Sequence, residues 1–565
     1  MQPSKHPGVD ATVESRVVGP LPLVAALIRD LGLVELLDRL LEWDPMRCRL
    51  SPGLRIAALI VNMLGGHRPL YRVGEFYEQT VPEVLFGPQV HAGQFTDDAL
   101  ARALDKLAAA GPKAVYGALA LRVCLDEGLD EHSVHFDTTS RSLYGEYPGM
   151  DPEGLQLVRG YSKDGHPELR QMILALMTDR QGIPIWGEVR DGNSADANAN
   201  ADAIDQICAA LQPADLARVL YVADSALVSG DNLRRMADRD LRFVSRLPER
   251  YSVARMVKEA ALAQGSWQEI GRIAAEPRDG SSQYRTCEQS GEIDGHRHRL
   301  VVVHSTHLQA RKTHTFAKEL EREREAIAKE LTALGKQRFT CEADAETAAG
   351  TLLLRRKDAW HPLRLQVIAT LRELPRARRG RPRADDPVRQ VHEFVVQGQI
   401  GEPDPERVRV GLHCRGCFVL ITSESADSYP AERLLNEYRG QQAVEQRFRF
   451  LKDPLFVEAL YLHTPARIEA LGYVMIMACL VFSILERRAR RTLEQRNQTI
   501  LLPGKRRSSR PTAGMLLDIC QAVCVARIAY GPWRFSSLHA AGRVARVVEL
   551  AGLNFASVYA APSDP

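Results

Sequence analysis

Two short β-favouring runs, each carrying an aspartate, constrain this fold most. Ser133 to Ser140, SVHFDTTS, alternates in character with Asp137 embedded in it, and RVLYVADS is a short apolar run that ends near Asp224. Between them, LRQMILALMTD and PIWGEVRDG read as strands separated by the turn Arg180-Gln181-Gly182, and Asp196 to Leu211 reads as a helix. Gly230 to Asp238 is then helical and LRFVSRLP is another strand. The order β-β-β-α-β-α-β requires a mixed α/β sheet. Such sheets present functional groups at strand ends, where both aspartates lie.

The flanks differ in character. Residues from about 20 to 130 read as helical: Ser51 caps and Pro52 opens LRIAALIVNML, and Thr96 caps DDALARALDKLAAA with Asp97 and Asp98 in its first turn. Residues 251 to about 425 interrupt the α/β pattern. There YRTCEQSG, HRLVVVHS, VHEFVVQGQI, RVRVGLH and FVLITS read as strands around a long charged helix, Thr313 to Leu334. After residue 428 the chain returns to helix, to about residue 490. Ala470 to Leu485 is the longest apolar run, shorter than the roughly 18–20 residues of a membrane span. It reads as a buried core helix, so no membrane partner is expected.

At 565 residues, with 45% hydrophobic and 26% charged residues, the chain is long enough for two to four domains and is not wholesale disordered. A net charge of +3 means that any polyanion must be met by local patches. The 10 cysteines are scattered, and only Cys414-Arg-Gly-Cys417 has close metal-like spacing. Without further ligands they read as reduced thiols of a cytoplasmic protein. The N-terminal segment has no apolar h-region, so it does not read as a secretory signal.

Tyr438 to Lys452, YRGQQAVEQRFRFLK, adds a third carboxylate. On one continuous helix, Tyr438, Gln441, Glu445 and Lys452 share a face at about 100° per residue, beside an apolar stripe of Val444, Phe448 and Leu451. A carboxylate flanked by a phenol, an amide and an ammonium can hold a metal ion and a phosphate together. With Asp137 and Asp224, Glu445 makes three hard oxygen donors, a set suited to Mg²⁺ and to phosphodiester chemistry on nucleic acid.

Taken together, DxT at Asp137, AD at Asp224 and the Tyr-to-Lys helix resemble the DDE transposases of bacterial insertion sequences. The resemblance is to the cut-and-paste group with a Tyr-x2-Arg-x3-Glu-x6-Lys motif, and it extends to GYSKDGHPELRQ and GIPIWGEVRDGNSADA. It covers roughly residues 20 to 490. It implies an RNase H-like mixed-sheet α/β core, interrupted by a β-rich insertion and preceded by an all-helical N-terminal domain. The implied layout is 1–130 helical and DNA-end binding, 131–250 first part of the core, 251–427 insertion, 428–490 second part of the core, and 491–565 a basic, helical tail.

The resemblance also implies roles. Asp137, Asp224 and Glu445 would be catalytic metal ligands for Mg²⁺, with Mn²⁺ as a substitute. Tyr438 and Lys452 would contact phosphates. Gln441 stands where the family has Arg and brings no charge; Arg439 and Arg447 are neighbouring cations that could replace it electrostatically. Arg379 and Arg381, within RARRGRPR, read as a minor-groove hook or a solvated loop of the insertion, and ERRARR near 486 and GKRRSSR near 504 as phosphate-tracking clusters or solvated faces. The implied partners are double-stranded DNA, as element ends and target, and a second copy of the chain in a DNA-bound synaptic complex. A nuclease without strand transfer, or an inactive end-binding protein, would share many of these features.

Overall fold

The computed structural model describes residues 13–66, 68–129, 132–143, 147, 154–163, 165–273, 281–374, 389–452, 462, 464–528, 531–535 and 542–559. The chain forms two compact units, Met1–Ser245 with Asn436–Pro565, and Arg246–Leu435.

The first unit opens with strand β1 (Val13–Val17) and helices α1 (Leu21–Asp30), α2 (Leu33–Leu40), α3 (Pro52–Val61), α4 (Val73–Gln79), α5 (Pro82–Phe86), α6 (Asp97–Ala109) and α7 (Pro112–Glu127). The expected caps form: Ser51 Oγ accepts from the Leu54 N–H at 3.1 Å, and Thr96 Oγ1 from the Ala99 N–H at 3.3 Å. The region is not all-helical, because β1 pairs antiparallel with Cys524–Ile528 near the other end of the chain.

Five strands follow in the expected order: β2 (Ser133–Leu143), β3 (Arg170–Asp179), β4 (Pro184–Arg190), β5 (Leu220–Ala223) and β6 (Arg242–Arg246), with α8 (Asp196–Ala210), α9 (Pro213–Leu216) and α10 (Gly230–Ala237) between the last three. Their spatial order is β4-β3-β2-β5-β6. The β2–β3 and β3–β4 pairs are antiparallel, whereas β2–β5 and β5–β6 are parallel. A parallel pair needs a crossover, supplied here by the helices. All four residues of β5 are buried, as a parallel strand covered on both faces requires.

The second unit holds α11 (Ser252–Gln264), β7 (Gln268–Arg272), β8 (Gln283–Ile293), β9 (His296–Ser305), α12 (Thr306–Gly335), α13 (Glu342–Arg355), β10 (Leu363–Leu374), β11 (Arg389–Ile400), α14 (Pro405–Arg415) and β12 (Cys417–Thr422). Strands β12, β9, β8 and β7 are neighbours in that order, and β10 and β11 form a separate antiparallel hairpin. One expected strand is a helix: RVRVGLH lies in α14. Asp404 caps it by accepting from the Glu406 N–H at 3.0 Å, and Pro405 stands at its first turn. This start signal outweighs the valine alternation that suggested a strand.

The chain continues through α15 (Ala431–Arg439), α16 (Gln441–Lys452) and α17 (Pro465–Gln495). The apolar part of α17 is 89% buried and forms the centre of the first unit, against α3, α6, α7, α16 and β4. Its backbone approaches the sheet at Gly472, where a Cβ would lie 2.7 Å from Val189 Cγ2. One apolar core runs from Val18 through the helices and sheet to Tyr559.

Candidate active site

The β2–β5 register sets Phe136 opposite Ala223, so Asp137 and Asp224 come one step later on neighbouring parallel strands. Both are half-buried. Burial pushes the Asp137 carboxyl up to about 7; Asp224 and Asp196 push it the same way, while Lys163 and the Thr138 N–H, a donor to Asp137 Oδ1 at 2.7 Å, pull it down. Burial raises Asp224 as well, against the Ala226 N–H that donates to its Oδ1 at 3.0 Å and against the charge of Lys163. Asp224 thus also caps a 3₁₀ turn, Ser225–Leu227. Two hard oxygen donors whose like charges oppose ionisation are a donor set that a divalent cation fits.

Lys163 and Asp196 were not among the expected site residues. The Lys163 Nζ donates to Thr138 O and Thr138 Oγ1, each at 2.8 Å, and lies 3.0 Å from Asp196 Oδ2. Its backbone N–H donates to Ser140 Oγ at 2.8 Å. Two loops deliver these residues by packing on each other. The Gln171 amide donates to Gly192 O at 2.6 Å and Tyr161 O at 3.3 Å, and Gln156 N donates to Asp191 Oδ1 at 2.8 Å. At Gly160 a Cβ would lie 2.3 Å from Gly192 O, and at Gly192 one would lie 2.1 Å from Gln171 O, so both loops need glycine there. The sequence signal was present in GYSKDGHPELRQ and DGNSADA, but spacing alone does not show that the two stretches meet.

The segment expected as one helix is two, α15 and α16, interrupted at Gly440. There the backbone runs against His135, whose Cε1 would be 2.6 Å from a Cβ. Consequently Tyr438, Gln441, Glu445 and Lys452 do not form one continuous helical face. Gln441 is buried, and its Nε2 donates to Phe136 O at 2.7 Å. At the other end of α16, Arg141 Nη1 donates to Lys452 O at 2.9 Å. Helix α16 is therefore pinned to β2 at both ends. Eleven helical residues rise about 16 Å, as do five strand residues from 136 to 141. Val444, Phe448 and Leu451 are buried, as expected. Glu445 is exposed, one turn beyond Gln441, while Tyr438, Arg439 and Lys452 are half-buried. Among the described residues, no three His, Cys, Asp or Glu side chains are gathered closely enough to hold a metal ion. Asp137 and Asp224 meet; Glu445 does not join them in this conformation.

Other expected contacts lie elsewhere. Arg447 is buried, donating to Gly182 O at 2.8 Å and pairing with Glu486 at 2.8 Å, so its guanidinium serves the core rather than a phosphate. Two further expectations change for ERRARR: Arg487 and Arg488 pair with Glu127, and Arg490 with Glu486, so this cluster is largely neither a phosphate track nor a solvated face. Arg379 and Arg381 lie outside the described residues. At the CxxC, Cys417 Sγ is 3.6 Å from His413 Nε2, and His413 stacks on His304. Burial drives His413 down to about 4 and the Cys417 thiol up to about 12. These side chains form a packed cluster.

A family model described as a transposase DDE domain matches residues 136–481, and one described as a domain of unknown function (DUF4277) matches residues 13–121. No curated protein matches the chain. The first match covers more than half of the chain and spans Asp137, Lys163, Asp196, Asp224 and Glu445. The mixed sheet with its helical N-terminal region fits the RNase H-like fold. The chain belongs to the DDE transposases, enzymes that act on DNA and generally use divalent metal ions.

Proposed function

We propose that this transposase cuts DNA at the inverted-repeat ends of an insertion sequence and joins the freed 3′-hydroxyl to target DNA. Asp137, Asp224 and Glu445 would hold Mg²⁺, or Mn²⁺ in its place. The observation that carries the reading is the pair Asp137, within β2, and Asp224, just past the end of the neighbouring parallel strand β5, with the Asp224 charge opposing ionisation of Asp137. Bound there, divalent ions lower the pKa of an attacking hydroxyl and stabilise the leaving oxygen of an in-line displacement. The anchoring of α16 along β2 supports Glu445 as the third ligand. Gln441 fixes the helix beside Phe136, and one turn further, about 6 Å along the axis, brings Glu445 level with the strand segment that carries Asp137. A side-chain rotation with DNA present would complete the set.

Tyr438, Arg439 and Lys452, at the two ends of this anchored region, are the proposed phosphate contacts. Two copies of the chain would pair the two ends, since each copy supplies one such centre.

The test uses a duplex carrying the inverted repeat that flanks this reading frame. Asp137→Asn and Asp224→Asn each bring Mg²⁺-dependent nicking to background while gel shifts on the same duplex persist. Full nicking by Asp137→Asn would defeat the assignment. A pre-cut end separates transposase from plain nuclease, because joined products with target plasmid require strand transfer.

A further inference from the structure

The Lys163 ammonium is placed for a task that ordinary surface lysines do not perform. Its three N–H groups meet three oxygens, Thr138 O, Thr138 Oγ1 and Asp196 Oδ2, all within 3.0 Å. Its backbone is tied to Ser140 Oγ, and its loop is wedged on the Gly192 loop. The residue is fixed at head and backbone, and its side chain is 24% exposed. Its charge bears on both Asp137 and Asp224, while Asp196 pushes both in the opposite sense.

We propose that Lys163 is the resident counter-cation of the Asp137, Asp196 and Asp224 carboxylates, and that a divalent ion entering the site competes with its charge. The inference rests on the metal-ligand reading of Asp137 and Asp224. Asp224 and Asp196 each oppose ionisation of Asp137, so the site carries negative charge that needs balancing. An internal ammonium lets the site fold before metal arrives, as a built-in monovalent substitute. The same ammonium opposes the incoming dication, so metal occupancy is held below what the carboxylates alone would give. Lys163 is on this account a positioning residue: it acts through the carboxylates and needs no contact with DNA.

The sign of its removal separates this role from a merely structural one. Losing a structural lysine loosens the site and weakens metal binding. Losing a counter-cation strengthens it. The full chain is titrated with Mn²⁺ by paramagnetic relaxation and with Mg²⁺ by thermal shift. The pH is held at about 9, well above the Asp137 range of about 7, so that protons do not compete. Lys163→Gln binds Mn²⁺ on the order of tenfold more tightly than wild type, and Mg²⁺ raises its melting temperature by more. Lys163→Arg, which keeps the charge, stays near wild type. Affinity in Lys163→Gln that is unchanged or weaker overturns the proposal.

Should Lys163→Gln fail to fold even with Mg²⁺, Thr138→Val decides the matter. It removes one of the three oxygens that hold the ammonium, and it should tighten metal binding by a smaller factor; no gain overturns the proposal. Wild type and Asp137→Asn distinguish the two levels of inference. Absence of any metal effect in wild type, or an undiminished one in Asp137→Asn, defeats the metal-ligand reading itself. A wild-type effect that depends on Asp137 but is indifferent to Lys163 defeats only the counter-cation.

Discussion

Gln441 and Arg447 show how differently a polar residue reads in sequence and in the fold. Both sit in a stretch that looks like a phosphate-facing helix, yet both are buried and used internally. Gln441 donates to a carbonyl 305 positions away, and Arg447 to one 265 positions away. No local pattern carries that information, because the acceptors are backbone atoms of β2 and of the β3–β4 turn. Asp137 and Asp224 were legible because local pattern sets their strands, although only Asp224 lies at a strand end: β2 continues past Asp137 to Leu143. Lys163 and Asp196 were not, because loop packing brings them together. Restoring the family's residue with Gln441→Arg should therefore not improve cleavage. It places a guanidinium where an amide is 6% exposed, and unfolding titrations should show a loss of about 1–3 kcal/mol. Arg447→Ala takes from Glu486, 2% exposed, one of its two arginine partners and leaves Arg490 at 2.8 Å. Denaturant unfolding should record a loss smaller than the about 3–5 kcal/mol of a buried pair broken outright from one side, because Arg490 still compensates the carboxylate.

At the scale of elements, the turn between β3 and β4 fixes where α16 docks. Asp179 closes it: one oxygen, Oδ1, accepts from the Gln181 N–H at 2.9 Å and the Ile183 N–H at 2.7 Å. Burial still raises its carboxyl to about 6, above the 3.8 of an open chain. Between those values the folded chain holds a proton that the unfolded chain has released. Stability from this group is thus complete below about pH 3.8 and is lost as pH rises through about 6. Two pK units correspond to about 3 kcal/mol. Asp179→Asn keeps the Oδ1 acceptor and removes the charge. Its unfolding free energy, compared with wild type from pH 4 to 8, should show a difference that grows in its favour up to about pH 7 and then levels. A flat difference would mean that the turn pays no penalty for its carboxylate. This turn was legible from Arg180-Gln181-Gly182; its electrostatics were not, since burial depends on α16 and α17 arriving from the far end of the sequence. The same limit explains α14, where alternating valines resembled a strand and only the Asp404-Pro405 start carried the helix.

At the scale of the molecule, the N-terminal helices, the sheet and the C-terminal segments of the first unit share one core. Strand β1 pairs with Cys524–Ile528, and Leu516, Val525, Trp533, Val544, Val547 and Leu550 are buried with residues from α1, α3 and α17. Composition alone marks the region after residue 490 as basic, because its arginines are numerous and its apolar residues are spaced without a long period. The fold uses those apolar residues as core. Arg496 and Arg546 pair with Glu549, while Arg488 of α17 donates to Ala551 O at 3.2 Å. A chain ended at Gln495 would expose the apolar surface these residues cover. Each large apolar side chain contributes about 1.5–3 kcal/mol when fully buried, and half a dozen together rival the whole stability of a domain, about 5–15 kcal/mol. The truncated protein should therefore lose the cooperative thermal transition of the first unit and be digested rapidly by protease within β2–β5, a part of the sheet that contains Asp137. If it melted cooperatively and resisted protease there, the C-terminal segments would be an appendage, and the continuity of the core from Val18 to Tyr559 would not be what holds the active-site strands in place.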